Sequence, residues 1–186
     1  MTCIASIIDK NGDIYMGSDS AGTAANFSQC LRADEKIFIN GEFIFGIAGS
    51  FRMGQLLRYE FEPPKFYGDV DLYKYMVKIF IKEVRECLKD GGFANKKDEV
   101  ERIEGQFLVG FKGNLFIIEG DYQVGKSMDN FDSVGSGESI ALGSLYSTKD
   151  LQITATDRLM LALESAERFN AGVRRPFVII KLDKTV

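Results

Sequence analysis

Apolar residues along this chain come in short runs, and many of the breaks between them carry turn residues. Ile4–Ile8 and Ile14–Gly17 flank Lys10-Asn11-Gly12-Asp13, and Asn-Gly between two such runs predicts a β-hairpin. Lys36–Ile39 and Phe43–Ala48 flank Asn40-Gly41 and predict a second hairpin. Gln106–Phe111 and Leu115–Glu119 around Lys112-Gly113-Asn114 predict a third. Single strands are expected at Phe131–Val134 and Pro176–Leu182.

Between the hairpins the period lengthens to that of a helix. Ser50 is placed to cap a helix that runs to about Phe61 and stops at Pro63-Pro64. A longer helix is expected from Val70 to Lys89, with Tyr73, Met76, Val77, Phe80, Val84 and Leu88 as its apolar stripe and Gly91-Gly92 at its end. Two more are expected at Ser139–Tyr146 and Thr156–Asn170, the latter burying Leu159, Leu163, Ala166 and Phe169. Ala21–Gln29 and the charged stretch Asn95–Glu104 read as loops. The order is hairpins, two helices, hairpin and strand, two helices, final strand. Two antiparallel sheets packed face to face with helix layers outside satisfy it, an α+β fold of the four-layer αββα type. Residues 1–186 read as a single domain, with no repeat or linker dividing them.

Composition narrows the chemistry. The net charge of −4 argues against a broad nucleic-acid-binding surface. No apolar run approaches the roughly 20 residues needed to span a bilayer, and the N-terminus lacks the basic start of a secretory signal. No membrane association and a cytoplasmic location are therefore expected. The cysteines at 3, 30 and 87 form no metal or disulfide spacing and read as buried or half-buried thiols, so no metal site is expected from side chains. The chain contains no histidine, which removes Ser–His and Cys–His catalysis. An enzyme built this way needs a carboxylate, lysine or amine as base, and one solution is a Thr hydroxyl activated by the chain's own α-amine.

Thr2 alone carries little, because many chains begin Met-Thr. Its surroundings carry more: Thr2 opens the first strand, Asp19 ends the second and Lys36 begins the third, so one sheet edge can gather all three. Taken alone, Asp19 and Lys36 read as an ordinary surface ion pair.

At these residues the sequence resembles the β-type subunits of the 20S proteasome and the bacterial heat-shock locus V peptidase, members of the N-terminal nucleophile hydrolases. The resemblance runs along nearly the whole chain, through Thr2, Lys10-Asn11-Gly12, Asp19 in Met16-Gly17-Ser18-Asp19, Lys36-Ile37-Phe38, Ala48-Gly49-Ser50 and Gly135-Ser136-Gly137. It implies a threonine-type endopeptidase matured by loss of Met1, with Thr2 as nucleophile. Asp19 and Lys36 would set the charge around it, the Gly49 N–H would face the oxyanion and Ser136 would sit by the amine. Ile47 is expected to wall the pocket for the substrate side chain.

There are two departures. One additional residue lies between Thr2 and Asp19, assigned to the Asn11-Gly12 turn. The family's second acid and its serine should fall in Phe169-Asn170-Ala171-Gly172, where this chain has no carboxylate; Asn170 is the group expected to support the site there. The family's backbone-bound cation sites lie in the same region, so a structural cation is an expectation, while the chemistry requires no cofactor. The resemblance further implies polypeptide substrates, stacked homo-oligomeric rings of six or seven subunits, and an ATP-dependent unfoldase as partner. An amidase acting on small substrates and a non-catalytic ring subunit remain open alternatives at this point.

Overall fold

The computed structural model describes residues 1–24, 28–93, 95–97 and 100–184, with no side-chain description for 95–97 and 100. The first hairpin is β1 (Ile4–Ile8) and β2 (Ile14–Ser18), followed by the short strands β3 (Ala21–Thr23) and β4 (Gln29–Leu31). The second hairpin is β5 (Ile37–Asn40) and β6 (Phe43–Gly49). Then come α1 (Phe51–Tyr59), α2 (Leu72–Tyr75), a π-helical turn at Met76–Phe80 and α3 (Ile81–Asp90). Strands β7 (Asn95–Lys97), β8 (Val100–Arg102), β9 (Gly105–Phe111), β10 (Asn114–Ile118), β11 (Val124–Gly125) and β12 (Phe131–Val134) lead to α4 (Glu138–Ser147), α5 (Ala155–Phe169) and β13 (Val178–Leu182).

Two antiparallel sheets form the centre, in the orders β12-β1-β2-β13 and β11-β10-β9-β6-β5. Strand alternation explains how each sheet buries both faces. In β1, Ile4 points at the other sheet while Ala5 and Ile7 pack under α4 and α5. In β6, Ile44 and Ala48 face the first sheet while Phe43, Phe45 and Ile47 face the helices α1 to α3. Three apolar layers result, one between the sheets and one under each helix pair. This is the αββα sandwich expected from the sequence. Gly46 lets the sheets approach: a Cβ there would lie 2.6 Å from Met16 Sδ and closer still to Ile4.

The helix read as running from Val70 to Lys89 starts at Leu72, capped by the Asp71 carboxylate on the Lys74 N–H at 3.0 Å. The π turn inserts a residue into its period and rotates the buried face. Tyr75 and Ile81 are buried there, while Tyr73 and Val77, expected in the stripe, are exposed. Phe169 at the end of α5 is also exposed rather than buried. So is Cys30, in contrast to Cys3, which is buried.

Both segments read as loops contain paired backbone. Ala21↔Leu31 and Thr23↔Gln29 pair in β3–β4, with residues 25–27 outside the described set, and Asn95↔Arg102 pairs in β7–β8, with 98 and 99 outside it. The β4 residues are all exposed, so no hydrophobic alternation announces that strand. Among the described residues no helix is long and apolar enough to cross a membrane.

Candidate active site

The register of the first sheet sets the site. Ile4 of β1 lies opposite Ser18 of β2 and Val134 of β12, so Thr2, Asp19 and Ser136 emerge from neighbouring strand ends at one edge. Lys36, just before β5 in the second sheet, reaches across to that edge. Its Nζ meets Asp19 Oδ1 at 2.6 Å, with both side chains almost wholly buried. Burial pulls the Lys36 pKa below the ordinary lysine value, and the Asp19 carboxylate pulls against it.

Asp19 is held by main-chain donors. Cys3 N–H donates to Oδ1 at 2.9 Å, and the Ala21 and Arg174 N–H groups donate to Oδ2 at 3.0 and 3.3 Å. Three backbone bonds and an ammonium fix both carboxylate oxygens. Burial and the neighbouring Asp19 charge push the Cys3 thiol up to about 12, so it stays protonated and inert beside Thr2.

On the other side of Thr2 the contacts are neutral. The Thr2 N–H donates to Ser136 Oγ at 3.2 Å, and the Gly137 N–H donates to the Thr2 carbonyl at 3.1 Å. Asn170, the C-cap of α5, holds Ser136 from two directions. Its Nδ2 donates to the Ser136 carbonyl at 2.6 Å, and its Oδ1 accepts from Ser136 Oγ at 3.3 Å and from Gly172 N–H at 2.9 Å. An amide can donate and accept in this way; an ionised carboxylate only accepts.

A cavity of about 90 Å³ opens in front of Thr2, between the outer face of β5–β6 and α1. Lys36, Phe38, Ile47, Gly49, Gly54 and Arg58 are among the residues that line it. Gly49 also borders a second cleft, shared with Thr2, Gln106 and Ser136. Its φ is +122° and it lies opposite Gly105; a Cβ there would come within 2.6 Å of Gly105 Cα, so the position requires glycine.

With Met1 in place, Thr2 is only 5% exposed, its nitrogen is an amide, and its Oγ donates to the Met1 carbonyl at 2.7 Å. Loss of Met1 would turn that nitrogen into an amine and release the hydroxyl.

No protein-family model and no curated relative matches the chain by sequence. Solved structures do match. BPH of Thiobacillus denitrificans, solved in complex with epoxomicin, superposes with a TM-score of 0.82 over 100% of both chains at 20% identity. HslV of Trypanosoma brucei gives 0.70 over 98% of this chain and 99% of its own, at 17% identity. Anbu of Hyphomicrobium sp. strain MC1 gives 0.69 over 100% of this chain and 84% of its own, also at 17%. This is the proteasome-type, N-terminal nucleophile hydrolase fold.

Within that fold, Thr2, Asp19, Lys36, Gly49, Ser136, Ile47 and Asn170 converge on one edge of the sandwich. Sequence reasoning missed the main-chain donors of Cys3, Ala21 and Arg174, because a backbone N–H leaves no mark on residue identity. It also missed Gly105, whose facing of Gly49 depends on the β6–β9 register, and Arg58, which reads as an ordinary helix-surface residue.

The carbonyls of the segment after α5 take part in hydrogen bonds. The Asn170 carbonyl accepts from Val173 N–H at 3.2 Å, that of Ala171 from Gln29 Nε2 at 3.1 Å, and that of Arg174 from Ser20 N–H at 3.0 Å. Each of these three carbonyls spends one of its two lone pairs on a hydrogen bond within the protein.

Proposed function

We propose that this chain is a threonine-type endopeptidase that cleaves unfolded polypeptides with Thr2 as nucleophile, after Met1 has been removed. The observation that carries the reading is that the buried Lys36–Asp19 pair and Ser136 gather around Thr2, which with Lys36 lines the cavity and with Ser136 lines the second cleft. The likeness in fold to BPH, a protein solved with epoxomicin bound, supports it.

In this mechanism Thr2 Oγ attacks the scissile carbonyl and its α-amine takes the proton, directly or through a water. A free α-amine has a pKa of about 7.7–8.0, so a usable neutral fraction exists near pH 7. The positive Lys36 favours the neutral amine and stabilises the developing alkoxide, while Asp19 orients Lys36. The Gly49 N–H receives the oxyanion. Ser136, held by Asn170, hydrogen-bonds beside the amine and relays the proton to the leaving nitrogen. The C–N bond breaks, leaving an ester on Thr2 that water hydrolyses, with the amine again acting as base. Ile47 forms a wall for the substrate side chain. We further propose cytoplasmic, stacked homo-oligomeric rings of six or seven subunits that enclose these sites, fed by an ATP-dependent unfoldase.

The test is cleavage of unfolded casein and fluorogenic peptides by assembled protein. Thr2→Ala should lower the rate to background, at least 1000-fold on the order seen when a nucleophile is removed. Undiminished cleavage by Thr2→Ala would overturn the reading.

A further inference from the structure

The chemistry of the cavity in front of Thr2 is set by an arginine that the mechanism does not use. Arg58 enters from α1. One of its terminal nitrogens donates to the Glu35 and Ile37 carbonyls at 3.1 and 2.8 Å, and its guanidinium lies 4.6 Å from the centre of the Phe38 ring. Its Nε and other Nη have no hydrogen-bond partner and no carboxylate within ion-pair distance among the described residues, while its charge reaches Asp34 and, after Arg32, helps hold that carboxyl below its usual range. Guanidinium does not lose its proton in a protein.

The other charges around the cavity cancel or face solvent. Asp34 takes two bonds from Arg32 at 2.6 and 2.5 Å, and Lys36 is paired with Asp19. Glu35 is exposed, where water and salt screen it. The walls are apolar, chiefly Phe38, Ile47 and Phe51. An aliphatic stem suits those walls, and a hydrogen-bond acceptor at its tip suits the unfilled guanidinium edge.

We propose that Arg58 is a substrate-binding residue, and that this cavity prefers glutamate or glutamine, on the acyl side of the cleaved bond, to leucine or lysine. The proposal rests on the peptidase reading above and adds the substrate class to it. A leucine side chain would cover the unpaired donors without satisfying them, and a lysine would bring a second positive charge.

The experiment compares peptide aminomethylcoumarin substrates that differ only in the residue before the cleaved bond. Assembled wild-type protein, Arg58→Met and Arg58→Lys are assayed in parallel. Wild type should favour glutamate and glutamine over leucine by about 10- to 100-fold in kcat/KM, the size of a hydrogen bond to a charged group. Arg58→Met should reverse that order, and Arg58→Lys, which keeps charge but loses the planar fork, should fall between. Epoxomicin adduct formation on Thr2, followed in the same preparations, reports whether the nucleophile survives each substitution. Wild-type preference for leucine or lysine, or an unchanged preference in an adduct-forming Arg58→Met, overturns the proposal. If Arg58→Met does not fold, the wild-type panel and Arg58→Lys decide it. A wild type that neither cleaves nor forms the adduct removes the peptidase reading itself, and this proposal with it.

Discussion

Thr2 is supported from two sides that are built in opposite ways. On one side Asp19 and Lys36 are charged and buried, with three main-chain N–H groups holding Asp19 and Asp19 holding Lys36. On the other, Ser136 and Asn170 are neutral, more exposed and held largely by each other. The charged side is expensive to bury and tolerates no loss of a partner, because a lone buried charge has nothing to replace its water. The neutral side gives up ordinary hydrogen bonds that water can partly restore. In the proposed mechanism the division follows the chemistry: a fixed field where charge develops, and a relay beside the amine where protons and products pass.

The largest effect should come from splitting the charged pair. Lys36→Ala leaves Asp19 buried without its ammonium and should cost about 3–5 kcal/mol of stability, read by denaturant unfolding, along with nearly all activity. A Lys36→Met and Asp19→Asn double variant removes both charges and should recover most of that stability. It should recover no activity. If it did, the field of the pair would not matter to the reaction.

Asp19→Asn should act next, through pH. Burial already lowers the Lys36 pKa, and Asp19 is the chief group opposing that shift. Without it the Lys36 pKa falls further, so the alkaline loss of rate should move to lower pH. The stability linkage has the matching sign. A lysine with a lowered folded pKa binds fewer protons folded than unfolded, so its cost is fully present below the folded pKa. That cost is relieved as pH rises toward the unfolded value. A pH–rate profile whose alkaline limb stays in place would contradict this role.

Asn170→Ala should have the smallest effect. Losing its two bonds to Ser136 should lower kcat by about tenfold and stability by roughly 1–2 kcal/mol, with KM little changed. Asn170→Asp keeps the acceptor but sets a carboxylate oxygen against the Ser136 carbonyl, so it should do worse than wild type at neutral pH, and its deficit relative to wild type at the same pH should shrink as pH falls and the acid protonates. Kinetics for both variants at two pH values would show this.

How much of this was legible in the sequence depends on where the information lies. The β1–β2, β5–β6 and β9–β10 hairpins were readable because Asn-Gly or Lys-Gly turns and apolar runs are local signals. The π turn at Met76–Phe80 was not, because its apolar residues fit an α-helical stripe equally well until one extra residue turns Tyr75 and Ile81 inward. Strand β4 escaped because nothing in it is buried. At the site, Thr2, Asp19, Lys36, Gly49 and Ser136 stood out through short motifs in order. Asn170 was reached only as a replacement for a missing acid. That it both donates to and accepts from Ser136 emerges only when the end of α5 packs beside β12 and its turn.

The central claim is that Thr2 becomes an N-terminal nucleophile. It is tested most directly by intact-protein mass spectrometry of the assembled protein with and without epoxomicin, with any adduct mapped to its residue. That reagent is a peptide epoxyketone and closes a ring using both the hydroxyl and the free amine of an N-terminal Thr. The account predicts a chain lacking Met1 that carries one adduct, on Thr2. A chain that keeps Met1 in its native host and takes up no adduct would contradict it.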